Sequence, residues 1–381
     1  MFCQHKGHSM SSCFTSCCDV RPEVAAFESY EPGLSIAEIA ERYGLARVIK
    51  MASNENPLGV SPRVRQVIAE KASEAFRYPQ SGNPRLVRAL AEHCGVDARR
   101  ICIGNGSDEM IDLLFRIRCI PGIHNAVAFR PCFGIYPTQA RMAGVELRQT
   151  PLNPDFSFDF DGLLKLVDEN TTLVFVTSPD NPSGRIADVV ELEKLARALP
   201  PACLLIVDEA YTEFAGPEHS LLSKLDELPN VALIRTFSKV YGLAGLRIGY
   251  GILPPALADY MWRVRLPFSL NILAEEAAMA ALDDAAFREE TIALVRRGRE
   301  QIIRELRDMG CEVLPSMSNF VMFRPAPEAP AAKTVHGELL RRGIIIRSLG
   351  GYHLPDWLRV SVGTDEENEL FLQYMREILG A

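Results

Sequence analysis

The segment TFSKVYGLAGLRIGY, residues 236–250, sets Thr236 and Ser238 beside Lys239 and brings Arg247 eight residues later, after a Gly-rich turn. Two hydroxyls and a guanidinium can cradle a phosphate, and a lysine amine among them is a nucleophile for carbonyl chemistry. The same residues read equally well as a strand, a loop and a strand whose lysine is merely solvated. What separates the two readings is whether other parts of the chain deliver complementary groups to the same place.

From residue 99 to 252, short β-branched runs alternate with helical patterns. RRICIG leads into the helical SDEMIDLLFRIR and TTLVFVTSP into VVELEKLARAL; NAVAFR, CLLIVDEAY, NVALIRTF and RIGYGIL complete the set of strands. Strands alternating with helices predict a mostly parallel sheet covered on both faces. Ligands of such sheets gather at the carboxyl ends of the strands. Four runs end in polar turns, GNGSDE (104–109), RPCFG (130–134), TSPDNPSG (177–184) and RTFSK (235–239), and a fifth, CLLIV, delivers Asp208. Those five ends form the candidate site.

After LPFSLN (266–271) comes one long helical stretch, 274–310, with apolar positions at three- and four-residue spacing and a terminal Gly310. The short strands CEVLP, NFVMFR, GIIIRS and WLRVSVG follow. The expected architecture is α/β. A large domain over 56–274 holds a mostly parallel sheet flanked by helices, and residues 23–55 with 275–381 form a smaller, discontinuous α+β domain. Residues 1–22 read as a disordered extension.

Composition narrows the function classes. A net charge of -8 disfavours nucleic acid or an anionic membrane as partner, so any anionic ligand must be held by local groups. No apolar run approaches the roughly 20 residues that span a bilayer. The first eighteen residues lack a basic stretch, an apolar core and a cleavage site, which makes the cytosol the default compartment. Cys3, Cys13, Cys17 and Cys18 crowd this segment with His5 and His8, but no second ligand cluster closes a metal site, and none is expected.

ASNENPLG (52–59), YP (78–79), GNGSDE, SPDNPSG (178–184), DEAY (208–211), SKVYGLAGLR (238–247) and LRVSVGT (358–364) occur in a highly specific order and spacing. On these motifs the chain, from about residue 22 onward, resembles the fold-type I pyridoxal-phosphate-dependent aminotransferases, and within them the histidinol-phosphate aminotransferase family. The resemblance implies pyridoxal 5'-phosphate, held by Lys239 as a Schiff base. Lys239 would also be the general base and acid, with Asp208 and Tyr211 as its catalytic companions. Asp208 would keep the pyridine nitrogen protonated so that the ring accepts electrons, and Asn181 and Tyr211 would donate to the ring's phenolic oxygen.

The cofactor phosphate calls for free backbone N–H groups at a helix start, which Gly106, Ser107 and Asp108 supply ahead of MIDLLFR. Asp108 would act through its backbone or as a cap rather than by charge. Thr236, Ser238 and Arg247 complete the cradle, and the resemblance assigns Phe133 to stacking on the ring. Tyr78 would reach the phosphate of a neighbouring subunit, making the active unit a homodimer. Arg359 would grip the substrate carboxylate as a bidentate fork, and Arg347 would bind a distal phosphate. Tyr30 and Asn56 resemble further pocket residues. The family's SPNNPTG reads SPDNPSG here, so Asp180 and Ser183 depart from it.

The implied reaction is reversible amino transfer from L-histidinol phosphate to 2-oxoglutarate, giving imidazole acetol phosphate and L-glutamate in histidine biosynthesis. Relatives with the same cofactor residues act on aromatic amino acids, or decarboxylate threonine phosphate. A pyridoxal-binding transcription regulator would need a DNA-binding domain, and about twenty residues before the matched region are too few for one. GNGSDE lacks the third glycine of a dinucleotide fingerprint, and no GK[ST] loop appears.

Overall fold

The computed structural model describes residues 17–25 and 35–380. Tyr30 and residues 1–16, with their cysteines and histidines, lie outside the described residues. The 17–25 segment contains a short helix, Pro22–Ala25. Strands below are β1 Ile49–Lys50, β2 Ile101–Asn105, β3 Asn125–Arg130, β4 Glu146–Pro151, β5 Thr171–Thr177, β6 Leu204–Asp208, β7 Val231–Thr236, β8 Ile248–Ile252, β9 Glu312–Val313, β10 Phe320–Arg324, β11 Ile344–Ile345, β12 Arg347–Ser348 and β13 Leu358–Ser361.

Every residue of β5, β6, β7 and β8 is buried, as expected for Val-, Ile- and Leu-rich strands in the middle of a sheet covered on both faces. They belong to a seven-stranded sheet of order β2-β8-β7-β6-β5-β3-β4, in which β8 alone runs antiparallel to its neighbours. Alternation along each strand feeds two cores. Val174, Val176, Leu205, Val207 and Leu233 enter one. Leu173, Phe175, Leu204, Ile206 and Ile234 enter the other.

The Val189–Ala198 helix, capped by Asp188 on the N–H groups of Val190 and Glu191, gives Leu192 and Leu195 to the first core. The Ser107–Arg118 helix gives Met110 and Leu114 to the second. Each such side chain contributes roughly 1.5–3 kcal/mol by leaving water. The parallel strands β2, β3, β5, β6 and β7 therefore end along one edge, at Asn105, Arg130, Thr177, Asp208 and Thr236.

The first core continues into a four-stranded antiparallel sheet, β12-β13-β10-β9, through Phe320 and Val360. β1 pairs in parallel with β11, and the chain beyond it runs beside β13, where Ser361 N donates to Met51 O at 2.8 Å. That path brings residues 49–54 back to the site from the far end of the sequence.

One expectation needs correction, and one strand was missed. The long helical stretch is two helices, Ile272–Asp283 and Ala285–Asp308. Asp284 breaks it, with φ -91° and ψ 67°, and its carboxylate caps the second helix at Phe287 N. A short polar side chain that bonds the backbone favours a cap over a helix interior. β4 was not anticipated because ELRQTP is an edge strand, mostly polar and with one buried residue, so the apolar run that marked the other strands is missing. Among the described residues no helix is long and apolar enough to cross a membrane.

Candidate active site

Lys239 follows β7 through a tight bend. Ser238 N donates to Thr236 Oγ1 at 3.1 Å, and the Thr236 hydroxyl donates to Ser238 Oγ at 3.0 Å. The bend sends the lysine back over the strand ends, where Nζ donates to Ser53 O at 3.3 Å and lies 5.6 Å from the centre of the Tyr211 ring. Burial, reinforced by the positive charge of Arg359, pushes the amine down to about 8. An ordinary lysine is protonated and inert as a nucleophile at neutral pH; this one has an accessible neutral form.

Asp208 closes β6 and is 2% exposed. Its Oδ2 accepts from Tyr136 Oη at 2.8 Å and its Oδ1 from Ala210 N at 3.1 Å. Burial pushes the carboxyl up to about 6, against those two hydrogen bonds. Both donors are neutral, so the buried charge has hydrogen bonds but no counter-charge from them. A cationic N–H partner would supply the counter-charge this carboxylate lacks. Tyr136, fully buried and stacked on Phe175 at 4.6 Å, is also 2.8 Å from Thr177 Oγ1, which fixes its hydroxyl. Phe133, half-buried, stands edge-on to Tyr136.

The anion end is built from glycines. The Ser107–Arg118 helix begins after Gly106, φ +79°, with no side chain capping its first N–H groups. A Cβ at Gly106 would lie 2.6 Å from Arg247 Nη2, and one at Gly249 would lie 2.2 Å from Ser107 N. Both positions must stay bare for the helix start, β8 and the guanidinium to converge. Arg247 itself has φ +56°, a strained conformation for a non-glycine residue of the kind that clusters at binding sites. Its Nη2 meets Asp108 Oδ2 at 3.1 Å. The Asp108 carboxylate is thus engaged by Arg247, and the N–H groups of the first turn remain available to an anion.

Arg359, on β13, is 5% exposed. Its Nη1 donates to Asn181 Oδ1 and its Nη2 to Ala52 O at 3.0 Å, while Nε is buried without a partner. Leaving such a donor unpaired costs about 1–3 kcal/mol, which an incoming carboxylate would relieve. Arg347, half-buried on β12, is directly opposite Arg359 in the antiparallel register, so the two side chains leave the same face of the sheet. Two like charges so placed favour an anion between them.

Tyr211 Oη accepts from Asn54 Nδ2 at 2.9 Å, and burial pushes the phenol up to about 12, so it stays protonated and able to donate. Asp180, pushed up to about 6 by burial, accepts from Ser183 N and Oγ and so closes the turn that carries Asn181.

Lys239, Asp208, Tyr211, Asn181, Arg359 and the Gly106–Asp108 helix start converge. Asn56 does not join them: its amide donates to Val240 O at 2.8 Å and Thr291 Oγ1 at 3.3 Å, and its oxygen accepts from Leu58 N at 2.9 Å. With both hydrogens and the oxygen in use, Asn56 is committed to holding the chain. The amide facing the site belongs to Asn54, two residues earlier in the same motif; it also engages Ser361 Oγ at 3.0 Å. Tyr136 and Asn54 were not singled out from sequence. Tyr78 is 80% exposed, and its ring lies 4.8 Å from that of Phe268, tilted by 30°.

A family model for aminotransferase class I and II matches residues 46–375. The histidinol-phosphate aminotransferase of Nitratidesulfovibrio vulgaris is 60% identical over 363 residues, 95% of this chain and 96% of its own length. The enzyme of the same name from Oleidesulfovibrio alaskensis is 56% identical, over 94% of this chain and 95% of its own. Among solved structures, histidinol-phosphate aminotransferase from Sinorhizobium meliloti in complex with pyridoxal-5'-phosphate superposes with a TM-score of 0.87 at 30% identity, covering 96% of this chain and 99% of that one. The match runs from just before β1 into the last helix and leaves no part of the convergent cluster outside it: the chain belongs to the class I and II aminotransferases.

Proposed function

We propose that the chain catalyses reversible amino transfer between L-histidinol phosphate and 2-oxoglutarate, using pyridoxal 5'-phosphate. The observation that carries the substrate is the Arg347–Arg359 cross-strand pair, two guanidiniums on one face beside the Asn181 amide. A phosphate ester and a dicarboxylate are both anions that such a pair can accept in turn. The names borne by relatives at 60% and 56% identity support the same substrate.

When bound, the cofactor supplies an electron sink for negative charge developing at the substrate α-carbon. Lys239 Nζ would hold it covalently and, when its amine is free, would carry the proton from and back to the substrate α-carbon. Asp208, oriented by Tyr136, holds a proton on the pyridine nitrogen. Tyr211 and Asn181 would serve the ring's phenolic oxygen. Gly106, Ser107 and Asp108 offer backbone N–H groups to the phosphate, with Thr236, Ser238 and Arg247 around it. Arg359 orients the substrate by its buried, unpartnered Nε.

The same reading divides the chain into a large domain, 56–274, and a small one, 23–55 with 275–381, with the site between them. Support comes from the separate sheets: Lys239 and Asp208 leave one, Arg347 and Arg359 the other. It also makes the active unit a homodimer, supported by the exposure of Tyr78, Phe76 and Leu266, at 80%, 77% and 66%.

The test compares turnover of L-histidinol phosphate and L-phenylalanine with 2-oxoglutarate. Preference for histidinol phosphate is expected, with Arg347→Gln raising its KM more than that of phenylalanine. A wide preference for phenylalanine would sink this reading.

A further inference from the structure

The first turn of the Ser107–Arg118 helix carries two acids side by side, Asp108 and Glu109. Acids there stabilise a helix, but at an anion site their charges oppose the ligand they flank. The structure ties both away. Asp108 is held by Arg247. Glu109 folds back over β2, where its Oε2 accepts from Asn105 N at 2.5 Å and from Ser269 Oγ at 3.1 Å. Gly104 on β2 lies against the same helix turn; a Cβ there would stand 2.4 Å from Met110 Cε and 2.9 Å from Glu109 Oε2.

Ser269 passes the interaction on. Its Oγ accepts from Arg265 Nε at 2.7 Å, and its carbonyl accepts from Asn105 Nδ2 at 3.0 Å. Arg265 is 7% exposed and is fixed at its other end by Asn83 Oδ1, 3.2 Å from Nη2. Asn83 in turn donates to Glu275 Oε2 at 2.8 Å. A buried arginine is thus anchored at two points, with one serine hydroxyl between its guanidinium and the Glu109 carboxylate.

We propose that Arg265 and Ser269 are positioning residues for the cofactor phosphate, holding Glu109 clear of the Gly106–Asp108 helix start and offsetting its charge. This rests on the phosphate placement proposed above. Without the relay, Glu109 keeps only its bond from Asn105 N, its charge loses the Arg265 offset, and the carboxylate is less firmly held away from the bare N–H groups. The predicted loss is therefore specific to the phosphate and spares the ring and its covalent attachment.

The experiment titrates cofactor-depleted wild-type, Ser269→Ala, Arg265→Lys and Arg265→Met proteins, followed by visible absorbance. Two probes are used: pyridoxal 5'-phosphate, and pyridoxal, which has the same ring and aldehyde but no phosphate. Ser269→Ala and Arg265→Met should weaken pyridoxal 5'-phosphate about tenfold, the scale of one hydrogen bond to a charged group, and leave pyridoxal unchanged. Arg265→Lys should recover part of the loss. Inorganic phosphate should raise the melting temperature of depleted wild type more than that of Ser269→Ala. An unchanged Kd for pyridoxal 5'-phosphate in Ser269→Ala, or an equal loss for both probes, overturns the proposal. Should Arg265→Met fail to fold, the serine variant decides alone. Failure of wild type to bind pyridoxal 5'-phosphate would instead count against the cofactor reading.

Discussion

Lys239 and Asp208 depart from ordinary ionisation in opposite directions for one reason. Burial disfavours whichever form is charged, lowering the amine to about 8 and raising the carboxyl to about 6. The sign sets a testable pH dependence. Below pH 8 the Lys239 amine of cofactor-depleted protein is mostly protonated and cannot attack an aldehyde; above it the neutral amine dominates. The rate of covalent uptake of pyridoxal 5'-phosphate should rise with pH to a midpoint near 8, not near the 10.5 of a free lysine. Stopped-flow absorbance checks this, with Lys239→Ala as the control that binds without the covalent band. A pH-independent rate between 7 and 9 would contradict the geometry around Nζ.

At the scale of elements, the phosphate end depends on backbone that no ordinary side chain could follow. Gly106→Ala combines a φ of +79° with a Cβ 2.6 Å from Arg247 Nη2, so it should cost about 1–3 kcal/mol of stability and push the guanidinium off the cradle. Gly337→Ala is its counterpart. Gly337 lies inside the Ala332–Arg341 helix with nothing within 4 Å of a Cβ, so alanine there should add about 1 kcal/mol of stability without touching cofactor affinity. Thermal melts and cofactor titrations of the two variants should move in these separate ways. If both glycines behaved alike, the crowding at Gly106 would not be what matters.

At the scale of the whole molecule, the proposed homodimer would cover Tyr78 and Phe268, which are in ring contact and exposed, and the exposed Phe76 and Leu266 near them in sequence. Phe268→Asp should weaken association, read as a fall in sedimentation coefficient. Tyr78→Phe keeps the ring in contact with Phe268 and removes only the hydroxyl. It should leave the dimer intact while lowering cofactor affinity about tenfold, the scale of one hydrogen bond to a charged group. A monomeric wild-type protein with full activity would refute this.

Much of the fold was legible in the sequence because its strands are buried on both faces. Continuous apolar runs ending in polar turns gave the sheet, its strand ends and Asp208 without coordinates. Local chemistry also marked the Gly106 helix start and the Lys239 bend. Polar edges and contacts between distant segments were not legible. β4 lacked an apolar run, and Asp284 ended a helix inside an unbroken pattern. ASNENPLG offered two asparagines two residues apart, and only the path of 49–54 along β13 decides that Asn54 meets Tyr211 while Asn56 is spent on Val240, Thr291 and Leu58. Tyr136 looked like any aromatic after a turn until the fold set its hydroxyl against Asp208. Periodicity and turn chemistry are local and can be read along the chain. The partner of a buried polar group is chosen by segments that meet only in three dimensions.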